Sequence, residues 1–114
     1  MSMTFKTREV GGVTIVELSG KITLGEGGIT LREEVRKLLG EGQKKIVLNL
    51  AEVNYIDSSG LGELVSAYTA VKNAGGELKL LNLTSKVRDL LVITKLVTVF
   101  DVKDDEASAV SSFA

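Results

Sequence analysis

The sequence predicts an α/β domain built on a single-layer mixed sheet of about five strands with about four helices. Three observations lead there. Two short extended runs at the start of the chain are separated by Gly11-Gly12, the mark of a β-hairpin. After the hairpin, helix-type and strand-type patterns alternate, which calls for strand-helix-strand units with right-handed crossovers and parallel neighbours. The run Ile46-Val47-Leu48-Asn49-Leu50 is apolar at all positions but Asn49, as in a strand covered on both faces.

The chain has 114 residues, 44% hydrophobic and 25% charged, which suits one folded domain spanning residues 1–114 rather than a disordered segment. No internal repeat, low-complexity stretch or linker divides it.

In order, residues 4–9 and 13–18 supply the hairpin strands. In the second, Val13, Ile15 and Glu17 alternate with Thr14, Val16 and Leu18, so the strand has two distinct faces. Ser19-Gly20 ends it, and the glycine-rich residues 21–28 read as a flexible connection. Thr30 and Glu33 have the spacing of a capping box. This places the first helix near Thr30, with Gly28 or Ile29 as alternative starts. Its buried face is Leu31, Val35, Leu38 and Leu39, and Gly40 or Gly42 stops it. Strand 46–50 follows, its Asn49 serving the strand end or orienting the turn beyond it.

The next helix spans residues 59–73, with Leu61, Leu64, Val65, Tyr68 and Val71 at the spacing of one face. Ala74-Gly75-Gly76 ends it, and Leu78, Leu80 and Leu81 form a strand starting near Glu77. Thr84 or Ser85 caps a short helix with Val87, Leu90 and Leu91 on its face. Residues 96–102 read as the last strand. Asp104-Asp105-Glu106 puts acid into the first turn of a C-terminal helix, where the dipole favours it. Val110 and Phe113 are its contacts. The helices should cover mainly one sheet face, with an early strand as an edge.

A net charge of −1 gives no case for direct nucleic-acid binding. Arg36-Lys37 and Lys44-Lys45 read as solvated ends of elements. Without cysteine or histidine, disulfides, thiolate chemistry and the usual zinc sites are excluded. There is no signal pattern at the N-terminus and no run approaching the ~20 apolar residues of a membrane span. The expectation is a cytoplasmic protein that makes no membrane contact.

Enzymatic readings lack their parts. Ser58 stands on a strand-to-helix turn like a hydrolase nucleophile, but the flank before it is Ile56-Asp57 rather than a glycine, and the histidine base is missing. Asp57 at a strand end resembles a phosphoacceptor aspartate, but the first strands end at Glu9-Val10-Gly11 and Leu18-Ser19-Gly20-Lys21, with no acidic pair to hold its magnesium. Gly25-Glu26-Gly27-Gly28 has neither P-loop lysine nor dinucleotide spacing. No enzyme activity and no cofactor are expected.

What remains is Asp57-Ser58-Ser59 at the start of a helix. Side-chain oxygens there commonly cap orphan amides. Alternatively Ser58 accepts a phosphate, which adds a charge of about −1.5 to −2 and three acceptor oxygens. A helix start tolerates that charge, so one turn can serve both purposes.

Val47-Leu48-Asn49-Leu50 followed by Ile56-Asp57-Ser58-Ser59-Gly60-Leu61-Gly62 resembles the signature of the STAS domain, in particular of bacterial anti-sigma factor antagonists. The resemblance extends over nearly the whole chain. It implies a STAS-like fold in which the helix after the motif forms much of the partner surface. It implies that Ser58 is phosphorylated by an anti-sigma factor that is also a serine kinase. Unphosphorylated antagonist binds that kinase, phosphorylated antagonist does not, and a PP2C-like phosphatase resets the switch. Asp57, Ser59 and Gly60 would then shape the turn, and Leu61, Gly62 and Glu63 would touch the partner. The family commonly has Gly-Glu-Leu-Asp-like acidity after the second strand, whereas this chain reads Gly20-Lys21-Ile22-Thr23. A non-switching STAS scaffold or adaptor subunit of a sensory or transport complex is the alternative.

Overall fold

The computed structural model describes residues 3–113. Strands β1 (Met3–Val10) and β2 (Val13–Ile22) form the expected antiparallel hairpin. Gly11 and Gly12 both have positive φ, 57° and 82°, as a two-residue hairpin turn matching strand twist requires. The chain continues through α1 (Glu26–Gly40), β3 (Lys45–Ile56), α2 (Ser58–Asn73), β4 (Glu77–Leu81) and α3 (Ser85–Ile93). A 3-10 turn (Leu96–Thr98), β5 (Asp101–Lys103) and α4 (Glu106–Ser111) complete it.

The five strands lie in sequence order, β1 to β5, with every pair after the hairpin parallel. Right-handed crossovers that always step in one direction deposit α1, α2 and α3 on one face. On that face Val16, Leu18, Leu48 and Leu80 of the sheet pack with Leu31 of α1, Leu64 of α2 and Leu91 of α3. On the other face Val13, Ile15, Val47 and Leu81 lie under Ala109 of α4 and Phe113 just beyond its end. β3 therefore alternates between two cores, which is why its sequence is apolar almost without interruption.

Charged contacts pin α4 in place. Arg8 of β1 pairs with Glu106 and, at 3.3 Å, with Glu17. The buried Lys79 bonds Asp101 at 2.6 Å and lies 4.9 Å from the centre of the Phe113 ring.

Three expectations need correction. First, α1 begins at Glu26, not Thr30, so no capping box forms. Gly27 and Gly28 are a packed surface rather than a flexible loop. A Cβ on Gly27 would lie 2.4 Å from the Lys21 carbonyl oxygen, and one on Gly28 would lie 2.9 Å from Glu63 Cγ. Their missing side chains let α1 start against β2 and α2.

Second, residues 96–102 are not one strand. Lys95 takes a left-handed φ of 64° and the 3-10 turn follows, leaving β5 three residues. Phe100 is buried and meets Tyr68 edge-on at 5.3 Å, so the segment folds inward to fill the core instead of extending along the sheet.

Third, β2 runs to Ile22, beyond the expected stop at Ser19-Gly20, and β3 runs to Ile56, beyond the expected Leu50. Its register against β2 shifts between Glu17 and Ser19. There Asn49 Oδ1 accepts the Ala51 amide at 3.1 Å. Asn49 thus stabilises a bulge in its own strand, and among the described residues it makes no hydrogen bond to the Asp57 turn.

Candidate functional site: the turn between β3 and α2

β2 and β3 end side by side, with Ile22 opposite Ile56. The carboxyl ends of parallel strands are where ligand and partner sites of open α/β sheets gather. From Ile56 the chain passes through a single residue, Asp57, into α2.

Asp57 makes four hydrogen bonds that define the turn. Its amide donates to the Ile22 carbonyl at 3.3 Å, and its carbonyl accepts the Leu61 amide at 2.8 Å. Its Oδ1 accepts the Gly60 amide at 2.7 Å, and its Oδ2 accepts the Leu24 amide at 3.3 Å. One carboxylate therefore caps α2 and ties down the loop between β2 and α1. Gly60 completes the joint: a Cβ there would lie 1.8 Å from the Ile22 carbonyl oxygen. Only glycine allows the helix to start this close to the strand.

With Asp57 as the cap, Ser58 and Ser59 are released from that duty. They are the first two residues of α2, both exposed. Neither hydroxyl has a hydrogen-bond partner among the described residues.

The remaining residues expected at a partner surface divide by position. Gly62 is exposed with open space around its Cα. Gly60 and Leu61 are buried, Leu61 in the main core, so they support the turn from beneath. Glu63 is half-buried and gripped by Arg32 of α1, which donates from Nε to Oε1 at 3.1 Å and from Nη2 to Oε2. Those bonds hold the Glu63 carboxyl below the ordinary carboxylate range.

Several neighbours of the turn were not singled out in the sequence. Leu24 is 79% exposed and Ile29 42%. With Thr23, Gly28, Arg32 and Ser59 they border a cleft of about 170 Å³. A second cleft of about 320 Å³ between α1 and α2 shares Arg32 and Glu63 and continues to Arg36 and Ala70. The buried glycine pair Gly27-Gly28 was the readable signal for this helix contact. Lys21 and Thr23 flank Ile22, the residue bonded to Asp57, so the departure from the acidic pattern falls beside the serine turn.

The family model described as STAS domain matches residues 4–109. The anti-sigma-B factor antagonist of Bacillus subtilis is 36% identical over 87 residues, covering 76% of this chain and 78% of that protein. The anti-sigma F factor antagonist of Paenibacillus polymyxa is 26% identical over 111 residues, covering 97% and 95%. A Thermotoga maritima crystal structure superposes with a TM-score of 0.87 at 26% identity, covering 96% of this chain and 93% of that one. Family match, relatives and fold coincide along nearly the same stretch, and the chain belongs to the STAS domain family.

Proposed function

We propose that this chain is a cytoplasmic anti-sigma factor antagonist: a binding module without catalysis of its own, switched by phosphorylation of Ser58. Two relatives carry that role in their names. The observation that carries the reading is the division of labour at the turn. Asp57 does the capping, so the exposed Ser58 hydroxyl is free to change chemically without removing a bond that holds the fold.

In the unphosphorylated form, Asp57, Ser58, Ser59 and Gly62 present the helix start, with Gly60, Leu61 and Glu63 fixing its shape. A serine-kinase anti-sigma factor binds this surface and is kept from its sigma factor. The same kinase transfers the γ-phosphoryl group of ATP to Ser58 Oγ. A phosphate with a charge of about −1.5 to −2 then stands next to the Asp57 carboxylate. A partner covering it would have to desolvate both anions, at a cost that unpaired buried charge makes large. Binding ends while α2 stays folded, because anionic charge at a helix start is favourable. A PP2C-like phosphatase restores the hydroxyl.

Incubation with the serine kinase that co-purifies with the chain, plus ATP, followed by mass mapping, tests this. Phosphate on Ser58 and its loss in Ser58→Ala are expected. Ser58→Asp should weaken the complex at least ~10-fold while the Tm moves only a few degrees. The Lys21-Ile22-Thr23 segment, which lacks the family's usual acidity, favours a second reading: a scaffold or adaptor subunit that binds without switching. A stable complex in which Ser58 gains no phosphate would select it.

A further inference from the structure

Ser58 and Ser59 are adjacent, yet only Ser59 borders the cleft that also holds Arg32 and Glu63. Glu63 follows Ser59 by four residues, so it lies one turn further along the same face of α2. Its Cγ packs against the bare Cα of Gly28, which fixes the stem of the side chain. Its carboxylate takes Nε and Nη2 of Arg32. A guanidinium is a planar fork with five donors, and this grip occupies one edge. Arg32 Nη1 donates to no described residue, and the Arg32 side chain is 42% exposed. An oriented guanidinium with a free edge therefore shares a cleft with an unpartnered serine hydroxyl.

We infer that the Ser59 cleft is a phosphate site, in which a phosphoryl group carried on Ser59 is received by the free edge of Arg32. Arginine and phosphate match as a two-bond pair. Without Arg32 a phosphate there would meet the Glu63 and Asp57 carboxylates and be repelled; the guanidinium beside Glu63 supplies the counter-charge. The group would arrive by transfer from a nucleoside triphosphate in a protein kinase. The bond from Ser59 Oγ to the γ-phosphorus forms as the bridging oxygen leaves with the diphosphate, and the hydroxyl proton passes to the kinase's base. The two serines then differ in consequence. A phosphate on Ser58 stands in solvent as an open charge, whereas one on Ser59 is neutralised and links α1 to α2. The site goes beyond the Ser58 switch and does not require it.

Phosphoserine incorporated genetically at position 58 or 59 of the full chain tests the inference by ³¹P NMR titration. A cation in contact lowers an acid's pKa by about one unit or more. The second phosphate pKa should thus lie about one unit lower at position 59 than at 58. Arg32→Gln should abolish the difference by raising the value at 59 alone, and Arg32→Lys, which keeps the charge without the fork, should restore part of it. Equal titration at both positions, or a difference that survives Arg32→Gln in folded protein, overturns the inference. In a further arm, the unmodified chain is titrated with inorganic phosphate while the Arg32 Nε–H resonance is followed. No saturable shift is expected at millimolar concentration, and a saturable one would reveal a free-anion site and overturn the assignment to a Ser59-borne group. Absence of kinase labelling at Ser58 would sink the proposed switch and leave these titrations unaffected.

Discussion

The carboxylate of Asp57 accepts the backbone amide of Leu24, 33 residues earlier, at 3.3 Å, while its other oxygen caps α2. The loop after β2 and the serine-bearing helix are thereby held as one piece. The exposed Leu24 side chain and Ser59 border the same cleft. One side chain thus joins the loop to the start of the helix.

Removing that side chain should loosen both attachments. Asp57→Ala is expected to cost about 1–2 kcal/mol, the upper part of the range for a lost N-cap. Asp57→Asn, which keeps an acceptor oxygen, should cost less. Urea denaturation gives the stabilities, and hydrogen exchange at the Gly60 and Leu24 amides gives the local effect. Both amides should exchange faster in Asp57→Ala, and unchanged protection at Leu24 would show that the loop is held by something else.

Gly60 and Gly62 are two residues apart and should respond in opposite ways. A Cβ on Gly60 meets the Ile22 backbone oxygen at 1.8 Å, whereas one on Gly62 meets nothing within 4 Å. Gly60→Ala must push α2 away from β2 and is expected to destabilise by about 3 kcal/mol or more. Gly62→Ala should stabilise by up to about 1 kcal/mol through helix propensity. Thermal melts of the two variants make the comparison directly.

Charge at α1 gives two pH effects of opposite sign. Glu63 has its carboxyl lowered by Arg32, so its contribution is present above the unfolded carboxylate range and is lost as pH falls through the folded value. Glu34 is 5% exposed, and burial raises its carboxyl. The folded state then holds its proton more tightly, and stability is lost as pH rises from the unfolded value through the folded one. Glu34→Gln should therefore raise the Tm near neutral pH, with the gain shrinking as pH falls through the raised folded value and gone below the unfolded value of about 4. Glu63→Gln should cost no more than about 1 kcal/mol near neutral pH, as for other partly exposed pairs, and less in acid. Melting curves across that range read both.

The small second core depends on the end of the chain. Phe113 covers Ile15, Val47 and Leu81 together with Ala109 and lies against Lys79. Phe113→Ala should cost about 3 kcal/mol, at the low end for a large aromatic. It should also release α4, seen as faster exchange of the Ala109 amide. The main core should keep its protection.

Much of this arrangement was legible in the residues. Alternation in β2, the doubly apolar Ile46–Leu50 run, the Gly75-Gly76 stop and the Thr84 cap all act over a few residues, and each reappears in the structure. Local chemistry is what a sequence displays. Thr30 and Glu33 misled because a capping box is only a spacing, and the position of α1 is decided by what Gly27 and Gly28 touch. Residues 96–102 misled because an apolar run does not say whether it lies along a sheet or folds into a core, as Phe100 does against Tyr68.

At the site itself, the sequence alone determined that Asp57, Ser58, Ser59 and Gly60 open a helix after a buried strand, and that histidine, thiol and P-loop chemistries are absent. Three-dimensional packing decided which oxygen caps the helix and which hydroxyls stay free. It also brought Leu24, Gly28 and Arg32 to the turn from the preceding loop and helix. Adjacency in the chain fixes local geometry. The bonds from Asp57 to Leu24 and from Arg32 to Glu63 bridge long sequence separations, and only the parallel pairing of β2 with β3 closes them.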